Sequence, residues 1–205
     1  MLFRSVGIRV CVEGTAALER VDVLRDTDVV HSWQIAPYDR SRLRVLWGGA
    51  EAEGTAGAQR VQWDGVLRAE SGRLADVVPV GLQSPLDSVE QVDERSVRWR
   101  SATGGNEMGF SLRTDGAARL RLEALPGVVE IDVQEALQRE QFASLGGASK
   151  HVRVGTAPRV DGSHSAQLCW RDETRRQAMH AYWVRVVQVD GERAWSSPIY
   201  VANAD

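Results

Sequence analysis

Four histidines, two cysteines, seven tryptophans and a few acidic pairs are the side chains of this 205-residue chain best suited to chemistry. The histidines are His31, His151, His164 and His180. None stands at His-x-His or His-x-x-x-His spacing, and no Cys-x-x-Cys occurs, so the ligand pairs that a zinc site draws from one strand or helix turn are missing. His164 and His180 would meet only if their strands paired. Isolated, solvent-facing or capping roles are expected for all four. No Gly-x-Ser-x-Gly elbow presents a nucleophilic serine. Ser196 and Ser197 precede Pro198 and read as a turn device. Gly48-Gly49 and Gly104-Gly105 lack the following Lys-Ser/Thr of a phosphate loop and are predicted to be hairpin turns. Asp26 with Asp28, Asp93 with Glu94, and Asp190 with Glu192 lack EF-hand spacing and read as solvated turn carboxylates. The expectation is no catalytic residue, no cofactor and no metal site within this chain.

The tryptophans are the better functional lead: Trp33, Trp47, Trp63, Trp99, Trp170, Trp183 and Trp195. Rings on a sandwich surface can stack on sugars. Most of these instead alternate with charged neighbours, as in Arg98-Trp99-Arg100, the pattern of core rings with outward flanks. Most are therefore expected in the core or between two sandwiches. Trp183, Trp195 and Trp99 are the candidates for a domain contact or for ligand stacking. Trp183 leads for a domain contact because it should face away from Tyr182.

Composition narrows the classes. A net charge of -3 lacks the basic stripe that nucleic acid requires. No apolar run reaches the ~20 residues of a membrane helix. The opening Met1-Leu2-Phe3-Arg4-Ser5 is not followed by the apolar stretch of a signal peptide. A strand pattern begins almost at once, which leads us to expect a fragment of something longer. Cys11 alternates with Arg9 and Glu13, and Cys169 with Gln167 and Arg171, so both should face outward as free thiols.

The elements that would position these groups are strands. Ala181 to Val201 reads as two strands joined by Asp190-Gly191, a strong hairpin signal, and closed by Ser196-Ser197-Pro198. Val6, Ile8, Val10 and Val12 alternate with polar residues, a half-buried strand. Further short strands are predicted at 20–25, 29–33, 43–47, 60–63, 65–69, 74–80, 96–100, 108–113, 118–124, 128–133, 150–154 and 166–171. Ala50 to Ala58 and Ser84 to Arg95 read as loops by composition. One short helix is predicted near 132–143, because Asp132 and Glu135 have capping-box spacing, with Gly146-Gly147 as its stop. The fold class is all-β: an immunoglobulin- or fibronectin-III-like sandwich with a second β-sandwich inserted. Residues 1–41 and 149–205 would form the first and 42–148 the second. One large sandwich is the alternative.

The run YWVRVVQVDGERAWSSPIYV resembles the ending of a bacterial family of large proteins of uncharacterised function. They couple a PHP-like (polymerase-and-histidinol-phosphatase-like) metal-dependent hydrolase region to a C-terminal β-sandwich region. IRVCVEGTAALERVDVLRD, RVLWGGAEAEG with VQWDGVLRAESGRL, and SVRWRSATGGNEMGFSLRTD are similar to that C-terminal region, in the same order. Tyr182 with Val184 and Val186 also resembles the tyrosine-corner strand of immunoglobulin-like modules. The resemblance implies a non-catalytic accessory region, because the family's metal chemistry belongs to the PHP-like part. Its implied partner is that N-terminal PHP-like domain, with neither nucleic acid nor membrane. A carbohydrate- or polymer-binding module is the alternative, with a glycan as ligand.

Overall fold

Alternation of apolar and polar residues builds nearly every element of this molecule. The computed structural model describes residues 5–51, 53–54, 57–174 and 179–202. In chain order the elements are β1 (Val6–Glu13), β2 (Leu18–Arg25), β3 (Asp28–Gln34), β4 (Tyr38–Ala50), β5 (Glu53–Gly54), β6 (Gly57–Ala58) and β7 (Val61–Gln62). There follow β8 (Gly65–Ala69), β9 (Arg73–Val80), β10 (Ser88–Asp93), β11 (Ser96–Arg100), β12 (Ala102–Thr103), β13 (Glu107–Asp115), β14 (Arg119–Ala124) and β15 (Gly127–Asp132). The helix α1 (Val133–Gln138) leads to β16 (Gln141–Ser144), β17 (Ala148–Pro158), β18 (Ser165–Asp172), β19 (His180–Gln188), β20 (Arg193–Trp195) and β21 (Ile199–Val201). The fold is all-β, made of several antiparallel sheets with a single helix of six residues among those described. No helix among the described residues is long and apolar enough to cross a membrane.

The chain divides into two units, one of residues 1–37 with 158–205 and one of residues 38–157. In the first, β1 pairs with β18, and the larger sheet runs β20-β19-β2-β3, with β21 also on β19. Val10, Val21, Val23 and Tyr182 are buried in this unit. The two sheets are also tied by polar groups. Tyr182 Oη donates to Asp172 Oδ2 at 2.5 Å, and Arg25 Nη1 donates to the same oxygen at 3.1 Å. His31 of β3 stacks on Trp170 of β18, with ring centres 5.0 Å apart. Cys11 and Cys169 are free and exposed.

The second unit has two five-stranded sheets, β10-β11-β8-β14-β15 and β16-β17-β4-β13-β9. Trp47, Trp63, Trp99 and Phe110 are fully buried in its core. Trp47 Nε1 donates to Ser101 Oγ at 2.9 Å, and Trp63 Nε1 to Thr103 Oγ1 at 2.8 Å, so two large rings are buried without stranding their N–H groups. Asp132 caps α1 by accepting from the Glu135 N–H at 2.9 Å. Val133 and Ala136 bury the helix against this core.

Four expectations are corrected. Gly48 and Gly49 lie inside β4, not in a turn, because β4 continues alongside β13 until the real turn at Gly104-Gly105-Asn106. A side chain at Gly49 (φ 103°) would meet the Ser149 carbonyl oxygen at 2.3 Å, so glycine there serves close approach between strands. The stretch from Ser84 to Arg95 contains β10, an edge strand whose mostly exposed face made it read as a loop. The helix stops at Arg139, whose N–H bonds to Glu135, well before Gly146-Gly147. Within the loop predicted at Ala50 to Ala58, β5 and β6 pair, and Ala52, Thr55 and Ala56 lie outside the described residues.

Candidate functional site

The larger sheet of the first unit carries a row of polar and aromatic side chains on one face. Registration places Ser32 of β3 opposite Asp22 of β2, Asp22 opposite Arg185 of β19, and Arg185 opposite Trp195 of β20. Directly opposed residues share a face, so the row crosses four strands. Trp183 stands two residues before Arg185 and joins the same face. The other face of β19, with Tyr182, Val184 and Val186, is turned toward β1. This polarity follows from the alternation Val21-Asp22-Val23 on β2 and Trp183-Val184-Arg185-Val186 on β19.

Asp22 is the anchor of the row and is only 1% exposed. Ser32 Oγ donates to it at 2.6 Å, Arg185 Nε at 2.9 Å and Nη2 at 2.8 Å, and Arg20 Nε at 2.9 Å. Burial pushes the Asp22 carboxyl up, but the bonds from Ser32 and Arg185 and the charge of Arg20 outweigh it and hold the group below the usual carboxylate range. A carboxylate so stabilised is a poor general base, so the Ser32-Asp22 pair has the wrong electrostatics for activating a nucleophile. Its work is to fix Arg185 beside the aromatic residues.

Trp183 is half-buried, and its Nε1 donates to the Asp26 carbonyl at 2.7 Å. Asp26 holds a turn at φ 55°. Its carboxylate accepts from the Ala181 N–H at 3.0 Å and lies 2.6 Å from His180 Nδ1. Those two interactions lower its pKa. Trp195 is 55% exposed. Trp99 belongs to the second unit, where it is buried and stacked on Trp47 at 4.8 Å. The three tryptophans singled out by sequence are thus not one cluster: Trp183 and Trp195 share a face, and Trp99 faces a core.

A second polar group sits on the β16-β17-β13 side of the second unit. Glu107 accepts from Arg153 Nε at 2.8 Å and lies 2.9 Å from His151 Nε2. Arg153 also reaches Glu140 at 3.1 Å, and Phe142 stacks on His151 with centres 5.3 Å apart. Glu107 raises the pKa of His151, against the opposing effect of partial burial.

Among the described residues, no group of three or more His, Cys, Asp or Glu could hold a metal ion. His164 and His180 do not meet through strand pairing, because β18 pairs with β1 and β19 with β2. Sequence reasoning missed Asp22 and Arg185. Alternation marks both as outward on their strands and puts Arg20 beside Asp22, but nothing local says that Arg185 would cover Asp22 from β19. What this surface can offer is stacking on a partly exposed indole and hydrogen bonding from a fixed guanidinium. Compared with protein-family models, with curated proteins and with solved structures, the chain matches none.

Proposed function

We propose that this chain is a non-catalytic accessory β-sandwich region of a larger PHP-like hydrolase-related protein. In this reading the first unit is an immunoglobulin- or fibronectin-III-like sandwich and the second is a sandwich inserted into it. The observation that carries the proposal lies in the closing hairpin. The stretch most similar to the PHP-associated family also presents Trp195 and Tyr200, at 55% and 65% exposure, on the face that carries Trp183 and Arg185. Large apolar side chains exposed together mark a contact surface for another protein. The partner is the PHP-like domain, which supplies the metal and the hydrolytic chemistry while this region supports it. The test is co-purification of this chain with the PHP-like domain encoded in the same genome. Trp195→Ala should weaken that association about tenfold or more, as truncation of a buried aromatic anchor does. Failure of the pair to associate, or phosphoester hydrolysis by this chain alone, would sink the proposal.

A second reading rests on Trp183 and Trp195 sharing a face with Arg185. Such a surface suits a carbohydrate or other polymer, with the indole stacking and the guanidinium donating. Binding on a glycan array that disappears in Trp195→Ala would favour it over the domain-contact reading.

A further inference from the structure

The two sheets of the first unit do not match in width. Over the five-stranded sheet lies a sheet of only two strands, β1 and β18. Beside β1 and above β19, β20 and β21 runs an open groove of about 610 Å³. Its walls include Ile8, Val10 and Val12 on one side and Val184, Val186 and Ile199 on the other. Ile199 is registered with buried Tyr182, on the face turned toward β1, yet it is 69% exposed. An inward-facing isoleucine that exposed is an interior position without its cover. Along the same groove β1 offers a bare edge: among the described residues it pairs with β18 alone. In an antiparallel pair every second residue turns its N–H and C=O away from the partner. The edge is eight residues long and contains no proline, and its charged residues, Arg9 and Glu13, lie on the outward face, so the face over the groove carries no charge to discourage strand addition.

We propose that this groove accepts a single extended strand from a partner polypeptide, added antiparallel to β1. Backbone bonds to β1 supply the pairing, and alternate apolar side chains fill the floor over Val184, Val186 and Ile199. On the outer face the strand meets Arg9 and Glu13, neither of which has an ion-pair partner among the described residues. Charge complementarity then sets the pattern: a basic residue opposite Glu13, apolar opposite Val12 and Val10, and an acidic residue opposite Arg9. A second copy of this chain is a poor occupant. Its own β1 could enter the place above β20 and β21 only with its larger sheet underneath, where the first copy's larger sheet already lies. The inference goes beyond the accessory reading and does not depend on it, since any donor of such a strand would serve.

The probe is the peptide Lys-Val-Thr-Val-Glu-Val-Thr, used free and also joined through a Gly/Ser linker to the start of the full chain, which raises its local concentration to the millimolar range. Amide exchange of β1 should slow about tenfold or more when the strand docks. Ile199→Lys, at an exposed position that folding tolerates, should abolish the protection. Exchanging the lysine and glutamate of the peptide should weaken it. Unchanged β1 exchange in the tethered protein would overturn the proposal, as would protection that survives Ile199→Lys. A concentration-dependent dimer with β1 protected in the absence of peptide would assign the edge to a second copy instead. Loss of association with a PHP-like domain would leave these outcomes unaffected, so the two proposals fail separately.

Discussion

Arg185 places both Nε and Nη2 on one oxygen of Asp22, at 2.9 and 2.8 Å. The pair spans neighbouring strands that lie 163 residues apart in the chain. Asp22→Ala would leave Arg185, Arg20 and Ser32 facing a vacated site. We expect a loss of about 2 kcal/mol, below the full cost for a wholly buried pair because Arg185 stays partly solvated. Urea denaturation of the two proteins measures it.

The same carboxylate makes the fold sensitive to acid. Its folded pKa lies below the ordinary 3.8. Its contribution is therefore complete above the unfolded pKa and is lost as pH falls through the folded one. Stability should drop more steeply below about pH 4 in the natural chain than in Asp22→Asn. Equal slopes would contradict the assignment.

His151 acts in the opposite sense. Glu107 raises its pKa above 6.5, so its contribution is full below the unfolded value and fades as pH rises through the folded one. Glu107→Gln should bring the His151 titration, followed by NMR, back toward lower pH. It should also flatten the stability change above about pH 6.5.

Two stacked tryptophans should answer substitution differently. Trp47 Nε1 is bonded to Ser101, whereas Trp99 Nε1 is buried with no partner among the described residues. Trp47→Phe should be costlier than Trp99→Phe by about 1 kcal/mol, because only the first strands an acceptor. Equal losses would mean that the bond to Ser101 contributes little.

Thr103 is fully buried, accepts from Trp63 and donates to the Gly49 carbonyl at 2.7 Å. Thr103→Val keeps the shape and removes both bonds. A loss of about 2–3 kcal/mol is expected from thermal or urea unfolding.

Local pattern carried much of the architecture. The alternation of Val6 to Val12 and the Asp190-Gly191 turn appear where they were expected, with Gly191 at φ 92°. The all-β class follows from many such segments. What failed locally depended on distant neighbours. β10 is an edge strand, so its polar side chains looked like a loop. Gly48 and Gly49 looked like a turn, but they let β4 approach Ser149 on β17. Burial of Asp22 was invisible because the covering arginine arrives from β19. The candidate site was legible in part: alternation put Trp183 opposite in sense to Tyr182, but a ring such as Trp99 reads the same whether it faces a core or a partner.

The order in which the chain leaves the ribosome gives the division into units a further consequence. Residues 38–157 form a set that is complete before residues 158–205 have been made. β2, by contrast, waits for β19, and β1 for β18. The first three strands must remain soluble throughout that interval, with Val21 and Val23 unburied. Nascent chains halted once residue 157 has cleared the ribosomal exit tunnel should therefore hold a folded middle and a protease-sensitive beginning, a window in which a chaperone would find its binding site.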